Sequence, residues 1–139
     1  MFIIFINLCL TGTLASLTLP TVLGEATSPT AARVAGIRFD FDDPEVTAVT
    51  FEPGVLTISR GGVGRLLAFG HGEWLASDDV MVLASGAWVS PSTLVVRAHD
   101  VGTPFSRTYT LEFREDALIL DIQQNVAFGE LPHTHLVSR

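Results

Sequence analysis

The sequence contains no lysine, and its positive charge comes from eight arginines scattered along the chain. Without lysine, the chain holds neither a Ser-x-x-Lys nucleophile motif nor a Lys-Thr-Gly strand, in which a basic amine assists the reacting serine. The net charge is -7 at pH 7 and the arginines form no cluster, so electrostatic forces oppose contact with a phosphate backbone. The composition therefore argues against nucleic acid as a partner.

Cysteine and long apolar runs are also scarce. Cys9 is the one cysteine, so an intrachain disulfide is excluded. Residues 1–10 are apolar apart from Asn7, but a membrane-spanning helix needs about 20 such residues, which argues against a membrane location.

Two interpretations of the N-terminus stay open. As a linker or the remnant of an upstream domain, it predicts a cytoplasmic protein. As a signal peptide cleaved near Gly24, it predicts a secreted one, although no basic residue precedes the apolar run.

The clearest regular pattern lies between residues 85 and 129. In the run 105–114, Phe105, Tyr109, Leu111 and Phe113 share one parity, and polar residues occupy the other. A period of two predicts a strand with one apolar face. Residues 93–99 and 117–123 repeat this alternation, and turn residues separate the three runs. We therefore predict an antiparallel meander as the nucleus of a sheet.

The preceding part of the chain also predicts short strands. Residues 46–51 and 55–60 read as a hairpin joined by Glu52-Pro53-Gly54, and the glycines at 61–64 and 70–72 read as turns or sharp bends. About eight or nine strands result, and no window of eleven or more residues has a helical period. We predict an all-β protein with one core, divided into an apolar N-terminal segment and linker (1–33) and an antiparallel β domain (34–139).

Several short motifs carry a resemblance to a known family. They are Trp88, Thr103-Pro104-Phe105, Leu111-Glu112-Phe113 and above all Asn125-Val-Ala-Phe-Gly129. In this order they resemble the C-terminal domain of β-lactamase-type serine hydrolases, relatives of class C β-lactamases and penicillin-binding proteins. Residues 14–36 are similar to the linker by which such enzymes leave their catalytic domain.

The resemblance implies a fold and a role. The fold is a lipocalin-like antiparallel barrel of about eight strands, whereas the strand pattern alone leaves a two-sheet sandwich open as the alternative. The role is that of a non-catalytic accessory domain, or a separately encoded piece, that docks on a serine hydrolase catalytic domain in cis or in trans and shapes its active-site entrance. The chain would then not be an enzyme on its own and would need no cofactor. The alternative function is a secreted, free-standing barrel that binds a small apolar ligand.

Arg107 is the residue most open to a functional interpretation. Its parity places it with Phe105 and Tyr109 on the apolar face, where it either reaches water near the strand end or contacts an anion in a barrel mouth. Together with the motifs above, it gives six candidates for contact with a ligand or partner: Thr103, Pro104, Phe105, Arg107, Asn125 and Phe128.

Two clusters contain residue types that bind metal ions, and neither is predicted to be a metal site. His133 and His135 are two residues apart and would point the same way on a strand, but a zinc site needs more ligands and a solvated tail explains the pair. The carboxylates in residues 40–45 lack the glycine of a calcium-binding EF-hand loop, because Glu45 stands in its place. A charged hairpin end is the better interpretation.

Overall fold

The computed structural model of the chain describes residues 21–76, 82–100, 106–124 and 133–138. These ranges contain one short helix and ten strands. In chain order they are α1 (Pro29–Val34), β1 (Arg38–Asp40), β2 (Ala48–Glu52), β3 (Val55–Arg60), β4 (Val63–Ala68), β5 (Leu75–Ala76), β6 (Val82–Ser90), β7 (Thr93–Asp100), β8 (Ser106–Phe113), β9 (Leu118–Gln124) and β10 (His133–Val137).

The strands form two antiparallel sheets. One has four strands in the order β1-β2-β3-β4, and the other has six in the order β10-β9-β8-β7-β6-β5. Both orders follow the chain, as expected when short turns join consecutive antiparallel strands. The three runs of the predicted meander correspond to β7, β8 and β9, which are consecutive neighbours in the six-stranded sheet. The all-β prediction is confirmed.

The hairpin between β2 and β3 shows how local chemistry sets the register. Glu52 pairs with Val55, so Pro53 and Gly54 alone make the turn. Proline favours the first central position of a tight turn, and Gly54 takes a φ of 82° at the second, where a side chain would be strained. The hairpin predicted from this sequence is confirmed.

The two sheets pack face to face in a sandwich-like arrangement. Over the described residues, neither sheet closes into a barrel, which agrees with the alternative architecture rather than with the closed lipocalin-like form. An isolated parallel bridge between Gly70 and Ser85 joins the end of the four-stranded sheet to β6. The chain thus crosses between the sheets at this corner without forming a continuous ladder.

Aromatic side chains fill one end of the space between the sheets. Phe51 lies at the centre, with its ring centroid 5.6 Å from that of Trp88, 6.0 Å from Phe113 and 6.5 Å from Phe69. All four side chains are buried. Rings at these separations add to the stabilisation that burial of their apolar area provides. This end of the sandwich is therefore densely packed with aromatic side chains.

The chain is already packed on the sheets upstream of residue 34, where the sequence predicted that the domain begins. Ser28 caps α1 by accepting a hydrogen bond from the Thr30 N–H at 3.2 Å, and Pro29 follows at the first helical position. Val34 is fully buried. Residues 29–34, which read as linker and domain start, are therefore a short helix whose apolar side belongs to the core.

The segment before the helix covers an edge of the six-stranded sheet. β5 pairs only with Leu83 and Ala84, and Gly70 bonds to the backbone of Ala84 and Gly86, so the edge beside Trp88 needs another partner. Glu25 is that partner, with two backbone hydrogen bonds of 2.8 Å to Trp88. Covering an edge in this way satisfies its backbone groups and removes a template for strand pairing with other chains.

Candidate functional site

A cleft of about 480 Å³ opens between the sheets at the end opposite the aromatic cluster. Its volume lies in the range typical of small-molecule sites, about 300–1,000 Å³. It is lined from one sheet by Val46, Ile58, Arg60, Val63, Arg65 and Leu67, with Glu45 before them, and from the other by Val82, Ala98, Asp100, Arg107, Tyr109, Ile122, Gln124 and Thr134. The interior is therefore packed at one end and open at the other.

Strand register explains why the deeper wall of the cleft is apolar. On the six-stranded sheet, Val96 pairs with Tyr109, which pairs with Ile122, so the three side chains form one row on the inner face. Across the cleft, Ile58 and Leu67 lie on the inner face of the four-stranded sheet. Side chains on one face of a strand recur every second residue, so the next row toward the opening lies two residues from these positions on each strand.

Arginines occupy the outer rows on both sides. Arg107 on β8 lies between Ala98 on β7 and Gln124 on β9. On the other sheet, Arg65 on β4 pairs with Ile58 on β3. Both arginines have the parity of the buried residues on their own strands, so both side chains line the cleft rather than the outer surface of the sandwich.

The charges of the lining are unequal. Its three arginines and two carboxylates give a formal charge of +1, in a chain whose net charge is -7. Arg60, the third arginine, forms an exposed ion pair with Glu45 at 3.1 Å. The Arg107 guanidinium forms no hydrogen bond or ion pair with any residue in the part of the chain that the structure describes. The cleft thus carries a guanidinium with all five donors available.

Of the six predicted contact residues, the structure describes only Arg107. Arg107 lies on the cleft side of β8, as its parity predicts, and it is exposed at the opening. Thr103, Pro104, Phe105, Asn125 and Phe128 lie outside the described residues. Contact between Arg107 and a ligand or partner stays a prediction.

Among the residues described, the histidine pair and the carboxylates of residues 40–45 make contacts within the protein. His135 Nδ1 lies 2.7 Å from Asp121 Oδ1 on the neighbouring strand. Asp43 Oδ2 accepts hydrogen bonds from the backbone N–H groups of Glu45 and Val46, at 2.8 and 3.0 Å, and so closes a turn. No group of three or more His, Cys, Asp or Glu side chains suited to a metal ion occurs in the described ranges.

Sequence reasoning missed the arginines of the four-stranded sheet. Arg60 shares its parity with Leu56 and Ile58, and Arg65 shares its parity with Leu67, so a signal was present on each strand. The glycines at 61–64 have no side chain to contribute to an apolar or polar face, so the alternation is hard to recognise there. Nothing in the local pattern indicates that these strands face Arg107, because that proximity depends on how the sheets pack.

Comparison of the chain with protein-family models, with curated proteins and with solved structures finds no match. Over the described residues, the structure has no helix with the length and apolar content required to cross a membrane.

Proposed function

We propose that the chain is a non-catalytic accessory domain of a β-lactamase-type serine hydrolase and that it docks on the catalytic domain, in cis or as a separate chain. The observation that carries the proposal is the complete absence of lysine in a chain whose motifs between residues 14 and 129 resemble the C-terminal domain of these enzymes. A serine in this superfamily is activated by a neighbouring lysine, so the amine must come from another domain.

A small apolar surface supports the docking role. Leu23 is 85% exposed and Val89 is 51% exposed, and both adjoin the backbone pairing of Glu25 with Trp88. Apolar side chains of this size stay in water only at a cost in free energy, and burial against a second domain recovers it. We name Leu23 and Val89 the entry patch and propose it as part of the docking surface.

The experiment starts from the genomic DNA upstream of Met1, which is searched for a Ser-x-x-Lys domain in the same or a neighbouring reading frame. That domain and the full chain are purified separately and titrated together by calorimetry. Turnover of nitrocefin and of p-nitrophenyl esters is measured for each protein alone and for the mixture. We expect an equimolar complex, with hydrolysis only where the Ser-x-x-Lys domain is present. Saturable hydrolysis by the present chain alone, lost on a single serine substitution, would refute the proposal.

The cleft favours a second candidate function, that of a free-standing binding protein for a small ligand with an apolar body. Its volume and its partly apolar wall suit such a ligand. N-terminal sequencing of the protein from culture medium and from cells separates the candidates. A mature protein that begins near Gly24 in the medium supports the binding protein, and an intact Met1 inside the cells contradicts secretion.

A further inference from the structure

We propose that the cleft binds an amphipathic carboxylate, with an unbranched apolar chain between the sheets and the carboxylate on the guanidinium of Arg107. The inference names the ligand class for the second candidate function. It is equally compatible with a domain that docks on a hydrolase, because the cleft and the entry patch involve different residues.

The position of Arg107 gives the first reason. On β8, Tyr109, Leu111 and Phe113 follow it on the same face and all three are buried, so Arg107 lies at the end of an otherwise apolar row. Its neighbours across the ladder, Ala98 and Gln124, are neutral and offer no countercharge. An arginine at such a position recognises a carboxylate through two parallel N–H···O bonds, which a hydroxyl or an amine cannot reproduce.

The shape of the cleft gives the second reason. Leu67 lies 5% exposed at its inner end, and Ile58 and Ile122 line its walls from opposite sheets. A flexible apolar chain can fill the space between two sheets, and each methylene it buries contributes roughly 0.8 kcal/mol in transfer from water. The charge at the opening and the apolar wall within therefore select a molecule with a single charged end.

The sign of the charge separates this ligand from a cationic one. The whole chain is acidic, with a net charge of -7, so its overall long-range attraction favours cations. The cleft reverses this, because its lining has one more arginine than carboxylates. This local reversal favours an anionic ligand. A monocarboxylate follows because, among the described residues, Arg107 is the one lining arginine with no hydrogen bond or ion pair.

The test compares four probes by isothermal titration calorimetry on the full chain, with the two surfactants below their critical micelle concentrations and the alcohol below its solubility limit. Decanoate is the expected ligand. Decan-1-ol has the same chain without the charge, decyltrimethylammonium has the opposite charge, and acetate has the carboxylate without the chain. We expect binding of decanoate at least tenfold tighter than that of the other three. Equal affinity for decanoate and decan-1-ol would show that the carboxylate is not recognised. Equal affinity for decanoate and acetate would show that the apolar chain does not bind in the cleft. Either result would overturn the proposal.

A pair of variants locates the carboxylate. Arg107→Gln removes the guanidinium from the cleft. Arg97→Gln removes one charge from the neighbouring strand on the opposite face of the same sheet, so the change in net charge is identical. We expect Arg107→Gln to weaken decanoate binding about tenfold and Arg97→Gln to change it less than twofold. A similar loss of decanoate affinity in both variants would show that it depends on the net charge of the chain rather than on contact with Arg107, and would contradict the proposal.

A third variant locates the apolar chain. Ile58 is half-buried and faces the cleft from the four-stranded sheet, so Ile58→Trp fills part of the space. We expect it to abolish decanoate binding while the far-UV circular dichroism spectrum and the cooperative urea transition are retained. Undiminished binding by a folded Ile58→Trp would place the ligand elsewhere. Association with a hydrolase domain is measured separately, with no fatty acid present. Failure of the ligand proposal would therefore leave the docking proposal standing, and the reverse also holds.

Discussion

Leu118 and Ser138 are joined by two hydrogen bonds. The Leu118 N–H donates to Ser138 Oγ at 2.7 Å, and the Ser138 N–H donates to the Leu118 carbonyl oxygen at 2.9 Å. Both residues are buried, with Leu118 fully enclosed and Ser138 9% exposed. The hydroxyl therefore provides the acceptor for a backbone donor that water does not reach, at the start of β9.

Ser138→Ala should destabilise the protein, because it removes the acceptor and leaves the buried Leu118 N–H without a partner. We expect the free energy of unfolding to fall by about 1–3 kcal/mol, as measured by urea denaturation. Ser90→Ala, at an exposed serine on β6, is the matched control and should change it by less than about 0.5 kcal/mol. Equal stability of the two variants would show that the hydroxyl contributes nothing beyond its volume.

The aromatic cluster predicts a larger loss at Phe51. Its ring contacts those of Phe69, Trp88 and Phe113 and is 2% exposed, so Phe51→Ala leaves a cavity between the sheets. We expect a loss of about 3–5 kcal/mol in urea denaturation, together with a weaker near-UV circular dichroism signal from Trp88. Val89→Ala, at a side chain that is 51% exposed, should cost below about 1 kcal/mol. A loss at Phe51 no greater than that at Val89 would contradict the central position assigned to this ring.

Gly86 on β6 is required because of its neighbour Phe69. A Cβ atom at Gly86 would lie 2.6 Å from Phe69 Cδ2 and 3.1 Å from Val96 Cγ2. The Phe69 ring is held in place against Phe51 and cannot move aside freely. We expect Gly86→Ala to cost about 1–3 kcal/mol in unfolding experiments.

A double-mutant cycle identifies the cause of that loss. Phe69→Leu provides room for the added methyl group, so the loss in Gly86→Ala combined with Phe69→Leu should be smaller than the sum of the two single losses. Gly64→Ala is the control for backbone effects, because a Cβ there meets nothing closer than 3.4 Å. Additive losses would attribute the cost to the backbone of Gly86 rather than to contact with Phe69.

Local sequence pattern predicts the strands well and their assembly poorly. The alternation at Tyr109, Leu111 and Phe113 gives both β8 and its buried face, because a period of two depends only on neighbours in the chain. Closure into a barrel depends instead on whether the outer strands of the two sheets pair with each other. The alternation within a single strand carries no information on that pairing. The helix at Pro29–Val34 was missed because six residues are too few for a helical period, although Ser28 and Pro29 form a recognisable start signal.

The same distinction applies to the cleft. Arg107 could be singled out from the sequence because a charged residue with the parity of Tyr109 breaks a clear pattern. The pairing of Arg60 with Glu45 joins the end of β3 to the loop before β2, and the approach of Arg65 to the same cleft requires the packing of two sheets. The residue was thus predictable, whereas the site around it was not.

The entry patch provides the last prediction. Leu23→Asp and Val89→Asp each place a carboxylate where we propose contact with the catalytic domain, and an unpaired charge in an apolar interface is costly. We expect either change to weaken the equimolar complex at least tenfold in calorimetric titration, with the free energy of unfolding of the isolated chain changed by less than about 1 kcal/mol, since both side chains are exposed. Val137→Asp introduces the same charge at a 55% exposed valine on β10, at the opposite edge of the six-stranded sheet, and should leave the affinity unchanged. Weakening by Val137→Asp alone would move the docking surface to that edge, and full affinity in all three variants would remove apolar contact as the basis of docking.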